Sequence, residues 1–460
     1  MTSGIPRRRS SARRLAVEAA VVFGTLVAVV GGIVAYHELR GGIGSPYPAA
    51  APNVDVSHAF EVQSEVSAVD NPRNPQDLVA GSNDERYDTR LYESLDGGRT
   101  WTSRPGFPVR SKEGCGRGDP ALASDLSGRI YYALLVQSVC DESALRLVVA
   151  MRDPGQEGWR ASEVLRGGGG ADDKPAIAVD LATGRVYVAW TRIRDDAEHV
   201  LLSPSDDLGR TWSRPVEVGE PSDSTSIAAL ASAPYGDVYV ALADFSDGSI
   251  WVSRSRDGGR TFESRRVATY AVGDAVTCGE TLSGVSIPAQ PQRCINPDPR
   301  LATAPDGRVY LTWNDEDADG TEAVWFTAFS RSLRVVVPAR RLAHRRKSDQ
   351  FFASLVSDIL NDPVACFYDT AGDPRRVHTW FTCTASNTGG RTWNPPIRAA
   401  DVPSDETTEA DPNEYGDYEA LVLAAGDAHP FWTDSRDLAR YEEIFTATIP
   451  LARLGLPRAA

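Results

Sequence analysis

Apolar and polar residues alternate along most of this chain in short, paired segments. Residues 120–135, 175–191 and 299–315 read "PALASDLSGRIYYALL", "PAIAVDLATGRVYVAWT" and "PRLATAPDGRVYLTWND". Each combines a short apolar run, a turn rich in Asp, Gly or Pro, and a second run of alternating aromatic and aliphatic residues. This pattern predicts a strand–turn–strand hairpin. Four further copies, three of them weaker, lie at residues 65–83, 226–244, 352–370 and 418–434.

Two more strands follow most of these hairpins. In one copy they are "HVLLSPS" at 199–205 and "SRPVEVG" at 213–219, joined by a polar turn. Each repeat is therefore predicted to be a four-stranded antiparallel blade, and blades repeated radially form a β-propeller. We predict an all-β fold over residues 55–452 with seven blades. Six blades are the alternative if the irregular fifth or sixth repeat is an insertion.

The two ends of the predicted propeller complement each other. The seventh repeat ends in a third strand at 443–451 with no fourth strand after it, and residues 58–62 form a strand that belongs to no hairpin. Adding residues 58–62 to the last blade would close the ring and remove exposed sheet edges. Residues 453–460 are then a short C-terminal tail.

An uncharged apolar segment precedes the propeller at residues 19–36. At ~1.5 Å of rise per residue it is about long enough to cross a lipid bilayer as one helix. Five arginines lie before it: Arg7, Arg8, Arg9, Arg13 and Arg14. The positive-inside bias predicts a cytoplasmic N-terminus (1–18), a single-pass membrane anchor (19–36), a linker (37–54) and an extracytoplasmic propeller. A cleaved signal peptide and a secreted protein are the alternative.

The charge distribution excludes one class of partner. Formal net charge is −15, and residues 1–36 carry five arginines against Glu18, so the rest of the chain carries −19. So acidic a propeller would repel nucleic acid, and the sequence therefore predicts that nucleic acid is not a partner.

Six cysteines suit an oxidising compartment, where an even number permits complete disulfide pairing. Six cysteines allow 15 connectivities, and we favour pairing between sequence neighbours. The pairs would be Cys115–Cys140, Cys278–Cys294 and Cys366–Cys383. Zinc is disfavoured because no CxxC occurs and no histidine lies near a cysteine.

One polar turn occurs four times. It reads "SLDGGRTW" at 94–101, "SDDLGRTW" at 205–212, "SRDGGRTF" at 255–262 and, with Thr388 in place of the aspartate, "SNTGGRTW" at 386–393. These turns match the Asp-box (BNR) pattern Ser-x-Asp-x-Gly-x-Thr-Trp, and through them the chain resembles the sialidase-like propeller superfamily. The matching residues are Ser94, Asp96, Gly98, Thr100, Trp101, Ser205, Asp207, Gly209, Thr211, Trp212, Ser255, Asp257, Gly259, Thr261 and Phe262.

The resemblance implies that each box closes the turn between the third and fourth strands of a blade, on the face away from the active site. The residue types agree with a structural clip, because aspartate can accept hydrogen bonds from the N–H groups of its own turn. Glycine supplies the positive φ that such a turn needs. A catalytic carboxylate would not tolerate Thr388, so we interpret the boxes as structural.

The opposite face would carry the candidate active site. The resemblance implies an arginine cluster that binds a substrate carboxylate, a Tyr–Glu nucleophile pair and an Asp acid. The candidates are Arg117, Arg300 and Arg436 for ligand binding, Tyr441 or Tyr415 as nucleophile, Glu442 or Glu414 as its partner and Asp119 as acid. However, the Arg-Ile-Pro motif usual near the first blade of sialidases is missing from the propeller.

The segment "DEDADG" at 315–320 resembles the start of a calcium-binding loop. Asp315, Asp317 and Asp319 would be the ligands and Gly320 would form the sharp turn. Phe326 occupies the position where such a loop has a glutamate, so a metal-free acidic hairpin tip is the alternative. No other cofactor is required.

Two classes of function follow. The first is a membrane-anchored, extracytoplasmic propeller that binds glycans or an envelope protein without catalysis, which the missing arginine motif favours. The alternative is a glycoside hydrolase of exo-sialidase type that acts on extracellular glycans, which the charged loops keep open. The fold alone does not decide between them.

Overall fold

The computed structural model describes residues 43–457, except 107, 109–117, 138–144, 166–168, 196, 221, 223, 271–283, 344–346, 409–413 and 437–440. The chain divides into two compact units, Met1–Gly44 and Ser45–Ala460, and the second holds the propeller. The predicted membrane anchor at 19–36 lies outside the described residues. Within the described part, no helix has the length and apolar character needed to span a membrane.

Strands β1 to β17 form the closing strand and the first four blades. The closing strand is β1 (Val54–Asp55). The blades are β2 (Ser67–Asn71), β3 (Asn74–Asp84), β4 (Asp88–Ser94) and β5 (Thr102–Pro105); β6 (Ala121–Ser124), β7 (Ile130–Gln137), β8 (Leu145–Arg152) and β9 (Arg160–Glu163); β10 (Ala171–Val179), β11 (Val186–Arg194), β12 (Ala197–Ser205) and β13 (Val216–Glu217); and β14 (Thr225–Ser232), β15 (Val238–Asp244), β16 (Ser249–Ser255) and β17 (Glu263–Thr269). All pair antiparallel within their blade.

The remaining strands form an inserted hairpin and three more blades. The hairpin is β18 (Val285–Ile287) with β19 (Gln290–Ile295). The blades are β20 (Arg300–Thr303), β21 (Val309–Glu316), β22 (Glu322–Phe329) and β23 (Val335–Arg341); β24 (Gln350–Ser357), β25 (Pro363–Asp369), β26 (Trp380–Ala385) and β27 (Ile397–Arg398); and β28 (Ala420–Ala424), β29 (Asp427–Asp434) and β30 (Glu443–Thr446), with β31 (Ile449–Pro450) beside β29. Short 3-10 turns lie at Glu406–Thr408 and Leu451–Leu454.

The first strands of the blades pack against one another in ring order, from β2 through β6, β10, β14, β20 and β24 to β28, which returns to β2. The prediction of a seven-bladed, four-stranded propeller is therefore confirmed. The alternation in each hairpin explains the packing, because the two faces of a blade each bury apolar side chains against a neighbouring blade.

The strand that closes the ring differs from the predicted one. Strand β1 pairs antiparallel with β30, with Val54 opposite Thr446 and Asp55 opposite Phe445. The prediction of 58–62 is wrong because His58 and Glu61 have φ of 45° and 77°, a left-handed backbone that cannot continue a strand. Ring closure thus joins a segment near the N-terminal end of the propeller to the last blade.

The Asp boxes lie between the third and fourth strands of blades 1, 3, 4 and 6. In the first box, Asp96 accepts hydrogen bonds from the Thr100 N–H and the Thr100 hydroxyl at 2.9 and 2.7 Å. Ser94 accepts one from the Gly98 N–H at 2.9 Å. In the third box, hydrogen bonds from Thr261 hold the pKa of Asp257 at about 2.

Each box also joins its blade to the preceding one. Gly390 has a φ of 85° and lies so close to the Phe326 ring of blade 5 that a Cβ would approach it to 2.2 Å. Trp101 packs edge-on against Phe431 of blade 7, with ring centroids 5.5 Å apart. The sequence therefore needs glycine and a large aromatic residue at these positions for packing between blades.

One predicted disulfide, Cys366–Cys383, is confirmed and joins β25 to β26. Cys294 on β19 is also disulfide-bonded. The other predicted participants, Cys115, Cys140 and Cys278, lie outside the described residues.

We predict that Asp257→Ala destabilises the propeller by about 1–2 kcal/mol, because a charged acceptor of four hydrogen bonds is lost from a solvent-exposed turn. Denaturant unfolding measures this loss. The control is Thr388→Ala in the fourth box, where a neutral hydroxyl accepts the Thr392 N–H at 2.8 Å. Its loss should be smaller, and equal losses would contradict the role assigned to the carboxylate.

Candidate functional site

A cavity of about 230 Å³ lies where the first strands of all seven blades meet. Each blade contributes one residue at the same level: Ser67, Ala121, Ala176, Ala229, Arg300, Ser354 and Ala420. Most of these side chains are small because seven strands converge on one axis. The cavity is thus the natural place for a ligand that contacts several blades at once.

A second ring of residues lies two positions before these axis-lining residues in the sequence. We call it the axial ring, and it consists of Glu65, Asp119, Lys174, Asp298, Phe352 and Tyr418. The first five have φ of 57°, 52°, 46°, 31° and 49°, respectively. A left-handed backbone is costly for residues other than glycine, and such strain concentrates at functional sites.

Asp417 ties the axial ring together. Its carboxylate forms an ion pair with the Lys174 ammonium, and it accepts a hydrogen bond from the Arg293 guanidinium at 2.9 Å. Arg300 donates to the backbone oxygen of Asp417 at 3.1 Å. Burial alone would raise the pKa of Asp417, but Lys174 and Arg293 outweigh it and hold that pKa well below its usual range. Asp417 is therefore ionised at any physiological pH.

Three carboxyl groups of the axial ring have a raised pKa, in contrast to Asp417. Burial, with the nearby charge of Asp417, raises the pKa of Glu65 to about 7 and that of Asp298 to about 6. Burial, with Glu65 and Asp173, raises the pKa of Asp119 well above its usual range. One site therefore combines a permanent carboxylate with carboxyl groups of raised pKa, a combination found at sites of acid–base chemistry.

The hydroxyl of Tyr418 lies among these groups. It is buried and has no hydrogen-bond partner among the residues that the structure describes. Burial raises its pKa, and the nearest charges that add to this are Asp119 and Glu65. The Arg300 guanidinium lies 5.6 Å from the centre of its ring. A buried hydroxyl without a partner costs free energy, so a ligand group is its natural partner.

The inserted β18–β19 hairpin completes the site with Arg293. The fully buried Glu414 accepts hydrogen bonds from the backbone N–H groups of Gln292 and Arg293, both at 3.1 Å. These bonds fix the strand that carries Arg293. The guanidinium then reaches Glu65 at 3.3 Å as well as Asp417.

The structure brings two of the predicted site residues, Asp119 and Arg300, to the axis. Arg436 instead pairs with Asp434 at 2.7 Å and Asp401 at 2.5 Å. Tyr415 is buried with its hydroxyl 2.7 Å from that of Thr379.

The other predicted residues are also accounted for. Glu442 is fully buried, and its charge acts on the neighbouring buried Glu406. Tyr441 is 46% exposed. Arg117 lies outside the described residues.

Sequence reasoning assigned no role in the site to Glu65, Lys174, Asp298, Asp417, Tyr418 or Arg293. The first three and Tyr418 carried a detectable signal, because aligning the hairpin copies places all four at the position of Asp119. Tyr418 escaped notice because its copy lacks the proline that follows Asp119, Lys174 and Asp298. Arg293 carried no signal, since it lies on a hairpin outside the repeat.

Two acidic side chains of the hairpin at 315–320 have partners within the protein. Asp317 forms an ion pair with Arg341, and Asp319 accepts a hydrogen bond from the Thr321 hydroxyl at 2.7 Å. Asp315 lies opposite Ala323 within the β21–β22 pair. Among the described residues, no group of three or more His, Cys, Asp or Glu could hold a metal ion.

Comparison with known proteins gives a match to the BNR repeat-like domain family over residues 76–271. No curated protein matches the sequence. The repeated blades, the Asp boxes and this match over residues 76–271 confirm the resemblance to Asp-box (BNR-repeat) β-propellers that the sequence predicted.

Several solved structures have a similar fold. One is a protein of unknown function from Dyadobacter fermentans, with 17% identity and a TM-score of 0.48 over 71% of this chain and 95% of that one. Another is a sialidase from Streptococcus pneumoniae, with 8% identity and a TM-score of 0.47 over 89% and 99%. A third is an α-L-arabinofuranosidase from Fusarium graminearum bound to arabinobiose, with 10% identity and a TM-score of 0.49 over 90% and 100%.

We predict that the free energy of unfolding falls as pH rises from about 4.5 to about 7, in part because of Glu65. In that window Glu65 of the unfolded chain loses its proton, whereas Glu65 of the folded protein, with its pKa of about 7, keeps it. The folded state therefore binds more protons than the unfolded state. Glu65→Gln removes the contribution of Glu65 to the pH dependence of the free energy of unfolding, about 3 kcal/mol over the whole window. Denaturant unfolding at pH 5 and pH 7.5 measures it.

The control for this prediction is Glu263→Gln, on an exposed side chain of β17. It should leave the pH dependence of stability as it is in the wild type. An unchanged pH dependence in Glu65→Gln would contradict the burial of a protonated carboxyl at the axis.

Proposed function

We propose that this protein is a glycoside hydrolase whose active centre is the axial ring, with glycans outside the cytoplasm as substrates. The observation that carries the proposal is that Asp298, Asp417 and the unpartnered Tyr418 hydroxyl line one cavity, with the raised-pKa carboxyl groups of Glu65 and Asp119 in the axial ring beside it. Residues 19–36 would anchor the enzyme in the membrane with the propeller on the outer side. A concave cavity favours a glycan over an envelope protein as the ligand.

The groups of the ring divide the reaction between them. Asp119, whose pKa is raised by burial and by the neighbouring acids Glu65 and Asp173, donates its proton to the glycosidic oxygen as the leaving group departs. The Tyr418 oxygen attacks the anomeric carbon, and Glu65 accepts the proton of that hydroxyl. Water then attacks the glycosyl-tyrosine, the Asp119 carboxylate takes the proton of the water, and the proton on Glu65 returns to Tyr418.

Asp417 supports this reaction without exchanging a proton. Glycoside cleavage passes through a transition state with oxocarbenium character, in which positive charge develops on the sugar ring. An ionised carboxylate held in place by Lys174 and Arg293 stabilises that charge without having to reorganise.

We predict that Tyr418→Phe lowers kcat on fluorogenic glycosides by roughly 10²–10⁴-fold while the variant still binds the substrate. Turnover and glycan binding are measured separately on the same preparations. Tyr415→Phe is the matched control, because that hydroxyl bonds Thr379 outside the axial ring, and its kcat should equal that of the wild type.

Two results would overturn the proposal. One is a Tyr418→Phe variant that turns over substrate as fast as the wild type. The other is a wild-type protein that binds glycans but hydrolyses none, which would identify a binding propeller.

A further inference from the structure

We infer that the axial site accepts an uncharged sugar ring and rejects sugars that carry a carboxylate. The inference rests on the proposed function and names the substrate class of the same site. Two features carry it: the cations of the site are already paired with the protein's own carboxylates, and the free polar atoms of the cavity call for hydroxyl partners.

The cations of the site are Lys174, Arg293 and Arg300. Lys174 pairs with Asp417, and Arg293 pairs with both Asp417 and Glu65. Arg300 donates to the Asp417 backbone oxygen. A site that clamps a substrate carboxylate needs guanidinium edges open to the cavity for bidentate contact. Here those groups are engaged by the protein.

The pairing is held rigidly. The side chain of Asp417 is 2% exposed, so it is not free to turn into solvent and release its partners. Glu414 fixes the strand of Arg293 through two backbone N–H groups. A substrate carboxylate would therefore have to displace an ion pair whose own carboxylate is almost fully buried, and leaving that carboxylate unpaired is strongly unfavourable.

The balance of charge points the same way. Six carboxyl groups meet around the three cations: Glu65, Asp119, Asp173, Asp298, Glu414 and Asp417. A ligand carboxylate would add a negative charge next to Asp417 and to carboxyl groups whose pKa burial and neighbouring acids already raise. Burying a charge without a counter-ion is costly, so an acidic sugar is disfavoured.

The unsatisfied atoms of the cavity suit a neutral sugar. Asp298 Oδ2, Asp417 Oδ1 and the Tyr418 hydroxyl are buried and have no hydrogen-bond partner among the described residues. All three residues line the cavity. Two of these atoms are carboxyl oxygens, which accept hydrogen bonds from sugar hydroxyls, whereas an ionised carboxylate has no proton to donate.

The size of the cavity limits the ligand further. At about 230 Å³ it lies below the ~300–1,000 Å³ of pockets for drug-sized molecules. It therefore suits one compact terminal sugar ring rather than an oligosaccharide or a sugar with long side arms.

The test uses substrates that differ only by a carboxylate. The folded protein is assayed on nitrophenyl glucosides and glucuronides, galactosides and galacturonides of both anomers, with an arabinofuranoside and a sialoside added. Binding of the corresponding free sugars is measured in parallel by saturation-transfer NMR. We expect the uncharged member of a pair to be preferred by about 100-fold or more in kcat/KM, or in affinity.

The outcomes separate this inference from the proposed function. Turnover of an acidic sugar at least as fast as of its neutral partner overturns the inference and leaves the hydrolase. Binding of neutral sugars without turnover supports the inference and overturns the hydrolase. Failure to bind or cleave any of these sugars overturns both.

A variant tests the cause of the selectivity. Asp417→Asn releases Lys174 and Arg293, so the preference for the uncharged partner should fall by about tenfold or more. The matched control is Asp237→Asn, which releases Arg254 and Arg331 on the Asp-box side and should leave the preference unchanged.

If Asp417→Asn does not fold, Asp298→Asn replaces a carboxyl oxygen of the cavity and should shift the preference in the same direction. An unchanged preference in the folded variants overturns the assigned cause.

Discussion

The buried carboxylate of Asp417 and its cations connect parts of the molecule that are far apart in sequence. Lys174 belongs to blade 3, Arg293 to the inserted hairpin and Asp417 to blade 7, and the pairs span 243 and 124 residues. An unpaired charge at this depth would be unstable, so these elements must come together around the axis. The same ion pairs keep Asp417 ionised and neutralise the positive charges of Lys174 and Arg293. Ring assembly and site chemistry thus depend on one set of contacts.

Aspartates at the two ends of the blades have opposite electrostatics for a simple reason. Asp257 lies in an exposed turn where N–H and hydroxyl donors surround it, which lowers its pKa. Asp119 lies in a buried ring beside other acids, which raises its pKa. Because donors stabilise the ionised form and burial disfavours it, the pKa of aspartate is lowered at one end of the blades and raised at the other.

The sequence alone predicted the blades well and the site only in part. Each blade is built from local hairpins, so its alternation and turn residues are visible along the chain, and the number of blades follows. The closing strand was misassigned because the left-handed backbone at His58 and Glu61 is not visible in an apolar pattern. Asp119 and Arg300 were found because they adjoin a clear repeat. Arg293 was not, because its place at the axis depends on Glu414, which lies 121 residues away.

The axial ring is able to change its chemistry without changing the fold. The apolar cores lie between neighbouring blades, and the ring residues stand at or just before the start of the first strands. The equivalent position holds an acid in blade 1, a lysine in blade 3, a phenylalanine in blade 6 and a tyrosine in blade 7. Phe352 is 2% exposed and packs edge-on against Phe351, so packing accounts for that residue. The shared blade architecture does not dictate the acids and the tyrosine, so these positions can vary with the ligand of the site.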